Sequence, residues 1–457
     1  MKTVRIMSAI CSLFLSLNNA ILSQSITMLG SFGPGPSVAW DVSDNGQFVT
    51  GYSDSSGYTR AFLWSHGNGM QSLGTLSGSS KAYAISGDGS RVVGESTNPI
   101  GFSHAFLWEN GTMKDLGTLG GQTSRANDIS GNGTCIVGVS TYPDQRIRAF
   151  FWKDDAMEDL GILGTDPKAR SHATGISYDG TIITGWSDLY GYTSYYPVYW
   201  DSLGIHTIEA LSNNECAAIV NKISGNNKVI IGKSAGSPAP EHAFRWTSET
   251  GAQDLGTLGG ANGRSEALGV SWNGDTVVGW STGPDGTSIA FRWTTAGGME
   301  NLNTTFADVL QYKITLQSAN AITPDGRYIV GDAYNKYTSR VEAYILDTQS
   351  EANGMADPFP SGMPILETFP NPFSQFVTIR WQTIESGWCK IKICDVNGRE
   401  IAILFNGFVH PGIHSLTFNR DQIIQGRYAN NRMTGGVYIC QLITPHGVIN
   451  RKLLASE

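Results

Sequence analysis

Between residues 26 and 347, short apolar runs alternate with polar, glycine-rich turns, and the alternation has a long period. An apolar run ends at Ile or Val, a hydroxyl residue and an Asx-Gly turn follow, and then comes Val-Val-Gly or a variant. The apolar residue that anchors each unit is Val42, Ile85, Ile129, Ile176, Ile223, Val270 and Ile322, at spacings of 43, 44, 47, 47, 47 and 52 residues. A second motif follows each anchor: Ala-Phe-Leu-Trp at 61–64 and 105–108, Ala-Phe-Phe-Trp at 149–152, Val-Tyr-Trp at 198–200, Ala-Phe-Arg-Trp at 243–246 and 290–293, and a degenerate Ala-Tyr-Ile-Leu at 343–346. A third, Asp-Leu-Gly-Thr-Leu-Gly-Gly, closes most units, as at 115–121 and 254–260.

Each unit therefore offers four short strands. Asp88-Gly89, Asp179-Gly180 and Asp325-Gly326 supply tight turns, where glycine tolerates positive φ. Four strands in roughly 45 residues is the arithmetic of a β-propeller blade. The seventh unit lacks its outer strand, and Ile26-Thr27-Met28-Leu29-Gly30 matches the missing piece at the other end of the repeats. An N-terminal strand that completes the last blade removes the open edges. The pattern predicts a seven-bladed propeller over 24–349, with the anchor strand innermost and the Asp-Leu-Gly strand outermost. A tryptophan that recurs in six units packs between blades rather than serving a ligand.

The period stops at 350. Residues 350–365 hold no strand pattern and read as a linker. Alternation returns in 376–381 and 390–393, and strands at short intervals over 366–457 predict a small C-terminal β-sandwich. The whole chain is thus expected to be all-β. Its 55 glycines in 457 residues, against roughly 7% in average proteins, agree with many tight turns. At the start, Lys2 and Arg5 precede a mostly apolar run at 6–17 and a small polar stretch at 18–23, the plan of a secretory signal peptide over 1–23. Export permits disulfides, but Cys135, Cys216, Cys389, Cys394 and Cys440 are an odd number without metal-ligand spacing. With 31 basic against 39 acidic residues, the net charge of −8 argues against a nucleic-acid partner.

The repeats resemble the extracellular family named for its His-Ala-Phe triplet, carried literally by His104-Ala105-Phe106 and His242-Ala243-Phe244 over about residues 26–347. That resemblance implies no particular activity. The last region is similar to the C-terminal sorting domain of type IX secretion cargo. It has the Asn371-Pro372-Phe373 opening, the Asp395, Gly398, Arg399 turn, the Gly436-Val437-Tyr438 strand and the late Lys452, with 425–433 as an apparent insertion. The resemblance implies a partner in the type IX machinery and a location outside a Gram-negative cell, secreted or held at its outer surface.

The chain has no phosphate loop, nucleophile elbow or His-Glu-x-x-His pattern, and no cofactor or metal is expected. The segment 41–46 has the look of a calcium loop but lacks its bidentate Glu, and reads as a turn. Residues that do not repeat carry more functional information, because the scaffold does not require them. The loops joining the second and third strands hold Tyr58, Phe102, Tyr142, Tyr190, Tyr192, Tyr195, Tyr334 and Tyr337, suited to stacking on sugars or contacting proteins. Lys81, Arg125, His172 and Glu266 fall at inner-strand starts, near the predicted mouth of the axial channel. The expected function is that of an exported, monomeric binding module for a glycan or protein. The alternatives are a polysaccharide-acting enzyme and a structural surface-layer component. For catalysis the only acidic candidates near the inner strands are Asp41, Asp128 and Glu266, and Asp41 and Asp128, two repeats apart, are expected to be too far from each other to act as a pair.

Overall fold

The computed structural model describes residues 24–55, 57–189, 195–211, 218–235, 240–349, 366–369, 373, 376–383, 387–396, 398–409, 412–420, 434–444 and 447–455. The chain divides into two compact units, with the boundary between Ala352 and Asn353.

In the first unit the first six repeats each fold into a four-stranded antiparallel sheet whose strands follow chain order. The first sheet is Ser37–Val42, Phe48–Ser55, Tyr58–Ser65 and Gly69–Ser72. Five more follow the same plan, ending with Ser265–Val270, Thr276–Thr282, Ser288–Thr294 and Gly298–Asn301. Two short helices, Leu302–Thr305 and Ala307–Leu310, then precede the seventh sheet. Its inner three strands are Ile314–Ile322, Tyr328–Asn335 and Arg340–Asp347. Its outer strand comes from the beginning of the repeats: Ser25–Gly30 pairs antiparallel with Arg340–Asp347, Ile26 opposite Leu346.

The turn after each inner strand is closed by its hydroxyl residue. Ser86 Oγ donates to Asp88 Oδ1 at 2.7 Å and accepts from the Arg91 amide at 3.0 Å. The same pair of bonds recurs at Ser43, Ser130, Ser177, Ser224, Ser271 and Thr323. A side chain that caps its own turn in this way leaves no backbone group unpaired where the strand reverses.

A second hydrogen bond explains the Ala-Phe motif. The amide of its alanine donates to the serine that opens the next sheet's inner strand: Ala61 to Ser80, Ala105 to Ser124, Ala149 to Ser171 and Ala243 to Ser265, at 2.8–3.0 Å. Ala343 makes the same bond to Ser37 at 2.9 Å, joining the last sheet to the first. Between the fourth and fifth sheets donor and acceptor are lost together, because Pro197 has no amide hydrogen and Ala218 no hydroxyl. The motif phenylalanines Phe62, Phe106, Phe150, Phe244 and Phe291 are fully buried, and the apolar clusters are shared by adjacent sheets. Trp64, Trp152, Trp200 and Trp293 are buried in those clusters, while Trp108 and Trp246 are half-buried against them. Successive four-stranded sheets, packed through shared apolar clusters and closed by the first strand, define a β-propeller scaffold.

In the second unit Leu366–Phe369, Phe376–Thr383 and Gly412–Asn419 form one sheet. Glu400–Val409, Gly387–Asp395, Gly436–Thr444 and Gly447–Ala455 form another. Two apolar clusters draw from both: Ile379 and Trp381 meet Ile391 and Leu442, and Val377 and Phe418 meet Ile393 and Leu453. Phe373 is buried and its amide donates to the Leu454 carbonyl. Asp395 receives the amide of Gly398 on its carbonyl and that of Arg399 on its carboxylate, a closed turn around Gly398. Tyr438 is buried with its hydroxyl donating to the Thr434 carbonyl, whereas Lys452 is exposed. Asn371, Pro372 and the apparent insertion at 425–433 lie outside the described residues. Cys135, Cys389, Cys394 and Cys440 are free and buried.

Candidate functional site

Every inner strand of the propeller carries a bulge at the same place. The register shifts between Ala39 and Asp41, and equivalently before Ala84, Asp128, Gly175, Lys222, Gly269 and Ala321. A bulge re-aims the side chains beside it. The unpaired residue can reach the neighbouring sheet: Asn127 Nδ2 donates to Ala173 O, Asn221 Nδ2 to Ala267 O, and Asn320 Nδ2 to Ala39 O, at 2.7–2.8 Å. The residue after it turns toward the axis.

There the structure corrects the expectation for Asp41 and Asp128. They are brought to one point by Lys222, whose Nζ lies 2.7 Å from Asp128 Oδ1 and 4.0 Å from Asp41 Oδ2. The inner strands of a closed ring all face its axis, so distance along the chain is no guide. Asp128 accepts the Ile176 amide on its second oxygen, Oδ2, while Asp41 accepts the Ile85 amide on the same Oδ2 that faces Lys222. Burial alone would lower the pKa of Lys222, but Asp128 and Asp41 outweigh it and hold the ammonium above its ordinary value. Burial pushes the Asp41 carboxyl up, against the pull of Lys222. The sequence signal was the single equivalent position that holds Asp, Asp and Lys in three repeats and small residues in the other four.

These groups line an axial cavity of about 120 Å³, bounded on one side by the turns that follow the inner strands. Three of those turns carry a residue the repeat does not need: Asp44, Tyr178 and Trp272. Tyr178 donates to Asp44 Oδ2 at 2.9 Å, and its ring meets Trp272 edge-on with centroids 5.0 Å apart. They fit because the neighbouring turns have glycine: a Cβ on Gly131 would overlap the Tyr178 ring, and one on Gly225 the Trp272 ring. Burial, partly offset by the Tyr178 bond, pushes Asp44 up to about 6.

At the other end of the inner strands, the predicted mouth residues are tied to neighbours. Lys81 Nζ lies 5.0 Å from the centroid of the Tyr52 ring. Arg125 Nη2 lies 3.1 Å from His172 Nε2; guanidinium only donates, so His172 accepts there and carries its proton on Nδ1. Burial, then the Arg125 charge, push His172 down to about 3, so it is neutral. Glu266 accepts from Lys233 Nζ and Asn221 Nδ2, each at 3.1 Å. Trp40 and Tyr83, which occupy bulge positions here, were not among the sequence candidates.

The predicted aromatic residues are distributed over five sheets. Tyr58 is exposed, with the Arg60 guanidinium 5.1 Å from its ring centroid. Phe102 is half-buried. Tyr142 donates to Asp159 Oδ2 at 2.9 Å. Tyr195 lies edge-on to Trp186 with centroids 4.5 Å apart. Tyr334 lies within the strand Tyr328–Asn335 rather than in a loop, because the seventh sheet is extended there, and Tyr337 is in the turn that follows. Tyr190 and Tyr192 lie outside the described residues. The histidines of the His-Ala-Phe triplets are engaged within their own sheets, His104 Nδ1 with Asp115 and His242 Nδ1 with Asp254, both at 2.9 Å.

No family model and no curated protein matches the chain. Among solved structures it is similar to the β-propeller domain of the Trilobed protease from Pyrococcus furiosus, at 7% identity and a TM-score of 0.46 over 72% of this chain and 96% of that one. It is similar also to oligogalacturonate lyase from Vibrio parahaemolyticus, at 10% identity and 0.46 over 72% and 94%. TolB from Acinetobacter baumannii matches at 12% identity and 0.40 over 67% and 82%.

Proposed function

We propose that the chain is an exported binding module: a seven-bladed β-propeller followed by a C-terminal β-sandwich that directs it through the type IX secretion machinery. On this reading it is displayed on the cell surface or released, and takes a glycan or protein ligand at the rim of the propeller. The observation that carries the reading is how the polar groups of the axis are used. Asp41 and Asp128 are bonded to Lys222 and to backbone amides, in a cavity of about 120 Å³. Pockets for small-molecule ligands are typically about 300–1,000 Å³. A polysaccharide has no room there and no free carboxylate pair, which favours binding over hydrolysis. Aromatic side chains such as Tyr58 and Tyr337 are instead exposed on residues that vary between repeats. The seven anchors and the closing strand support the blade count, and the two sheets that share apolar clusters support the sandwich.

Two measurements test it. The full chain, applied to a glycan array and to soluble polysaccharides, is expected to bind without releasing product. Turnover that disappears in Asp128→Asn would overturn the reading. In the native host, a chain ending at residue 365 is expected to stay in the periplasm, and its appearance at the cell surface would remove the sorting role.

A further inference from the structure

The seventh sheet is longer than its neighbours at one end. Its inner strands are Ile314–Ile322 and Tyr328–Asn335, against Ser265–Val270 and Thr276–Thr282 in the sheet before it. The added length is the pairing of Ile314 with Asn335 and of Thr315 with Tyr334, beyond a second bulge at Leu316 and Ser318. Past it the Lys336 amide donates to the Lys313 carbonyl at 2.9 Å, so the extension is held by backbone pairing.

This extension carries Tyr312, Lys313, Tyr334, Lys336 and Tyr337. Tyr312 is 85% exposed and Tyr337 65%, so neither ring contributes to the core. Gln311 and Tyr312 take left-handed backbone conformations, with φ of 51° and 56°. For Gln311 this is the left-handed cap of the helix before it, whereas the exposed Tyr312 ring gains nothing through packing. Lys313 Nζ is held 4.3 Å from the centroid of the Tyr337 ring, and Lys336 Nζ donates to the Tyr312 carbonyl at 3.1 Å. Among the described residues neither ammonium is in an ion pair with a carboxylate. Glu342 accepts from Asn335, and Asp332 from Ser318. Glu342 is buried, Asp332 is half-buried and Asp308 belongs to the helix before, so the exposed groups of the extension itself are two ammonium groups and tyrosine rings.

We propose that this end of the seventh sheet binds an anionic polysaccharide, with Lys313 and Lys336 meeting its carboxylates or sulfates and the exposed tyrosine rings its sugar faces. The inference rests on the binding-module reading and narrows its ligand. Ring faces stack on sugars whatever their charge; the two ammonium groups, in no ion pair among the described residues, add the preference for anions.

The test is electrophoresis of the full chain through gels containing alginate, dextran sulfate or uncharged hydroxyethylcellulose. Retardation is expected in at least one anionic gel and not in the neutral one, and is expected to fade at high salt. The pair Lys313→Gln and Lys336→Gln is expected to weaken binding by roughly tenfold, with thermal unfolding unchanged. The pair Lys153→Gln and Lys168→Gln makes the same charge change elsewhere on the surface and is expected to retain binding. Equal loss in both pairs would overturn the inference, as would anionic binding that neither pair alters. Retardation by the neutral gel alone would overturn it while leaving the binding module standing. Retardation by none, together with an empty glycan array, would remove both.

Discussion

Lys222 shows how much one residue of a repeat can hold together. It is the only cation contacting Asp41 and Asp128 among the described ion pairs, and at the axis Asp128 is buried and Asp41 half-buried. Removing one partner of a buried charge network leaves the others uncompensated, at a cost of about 3–5 kcal/mol. Lys222→Met is expected to destabilise by that order in chemical denaturation, and adding Asp128→Asn is expected to return part of it. Asp44 gives a pH dependence of opposite sign to the usual carboxylate. Its folded pKa is about 6, above the 3.8 of the free side chain, so the folded state binds its proton more tightly. Stability from this group is therefore full below about pH 4 and is lost as pH rises through about 6, by at most on the order of 3 kcal/mol. Asp44→Asn keeps an acceptor for Tyr178 without the charge. The difference in melting temperature between Asp44→Asn and wild type is expected to grow in favour of the variant from pH 4 to pH 6.5, and a flat difference would refute the assignment.

Among elements, the bond between adjacent sheets sets what a repeat must contain. The serine at the start of an inner strand serves two sheets: Ser80 accepts from the Ala61 amide and donates to the Gly74 carbonyl. Ser80→Ala leaves a buried amide unpaired, which costs about 1–3 kcal/mol. That loss is expected in the denaturation midpoint. Ala218→Ser is expected to bring no corresponding gain, because Pro197 opposite it offers no donor. The repeat spacing, the turns and the closing strand were all legible in the sequence, since each depends on residues within one repeat or at matching positions of two. The serine–alanine bond is not legible in the sequence, although both residues recur at matching positions of the repeats. Its meaning lies in the offset of one sheet against the next, which periodicity does not give.

For the whole molecule, the two units have separate apolar clusters: the clusters of the second contain no residue before Leu366. A chain ending at residue 352 is therefore expected to melt at the same temperature as the first unit of the full protein, followed by calorimetry. A large downward shift would mean that the first unit depends on the second.

What the sequence determined by itself was local or periodic: four strands per repeat, the outer strand borrowed from residues 26–30, and the break in pattern after the repeats. Hydrophobic alternation and turn chemistry encode these within a few residues, and repetition makes them readable. Only the tertiary structure decided which non-repeating residues meet. Lys222 lies 94 residues from Asp128, and Tyr178 lies 134 residues from Asp44. Closing the sheets around one axis turns such separations into contacts, and the bulge in every inner strand aims the side chains inward. The exposed extension of the seventh sheet was decided in the same way: Tyr334 and Tyr337 were visible as aromatic residues in a loop, but their company with Tyr312, Lys313 and Lys336 comes from strand register, which pairs residues about 20 apart along the chain.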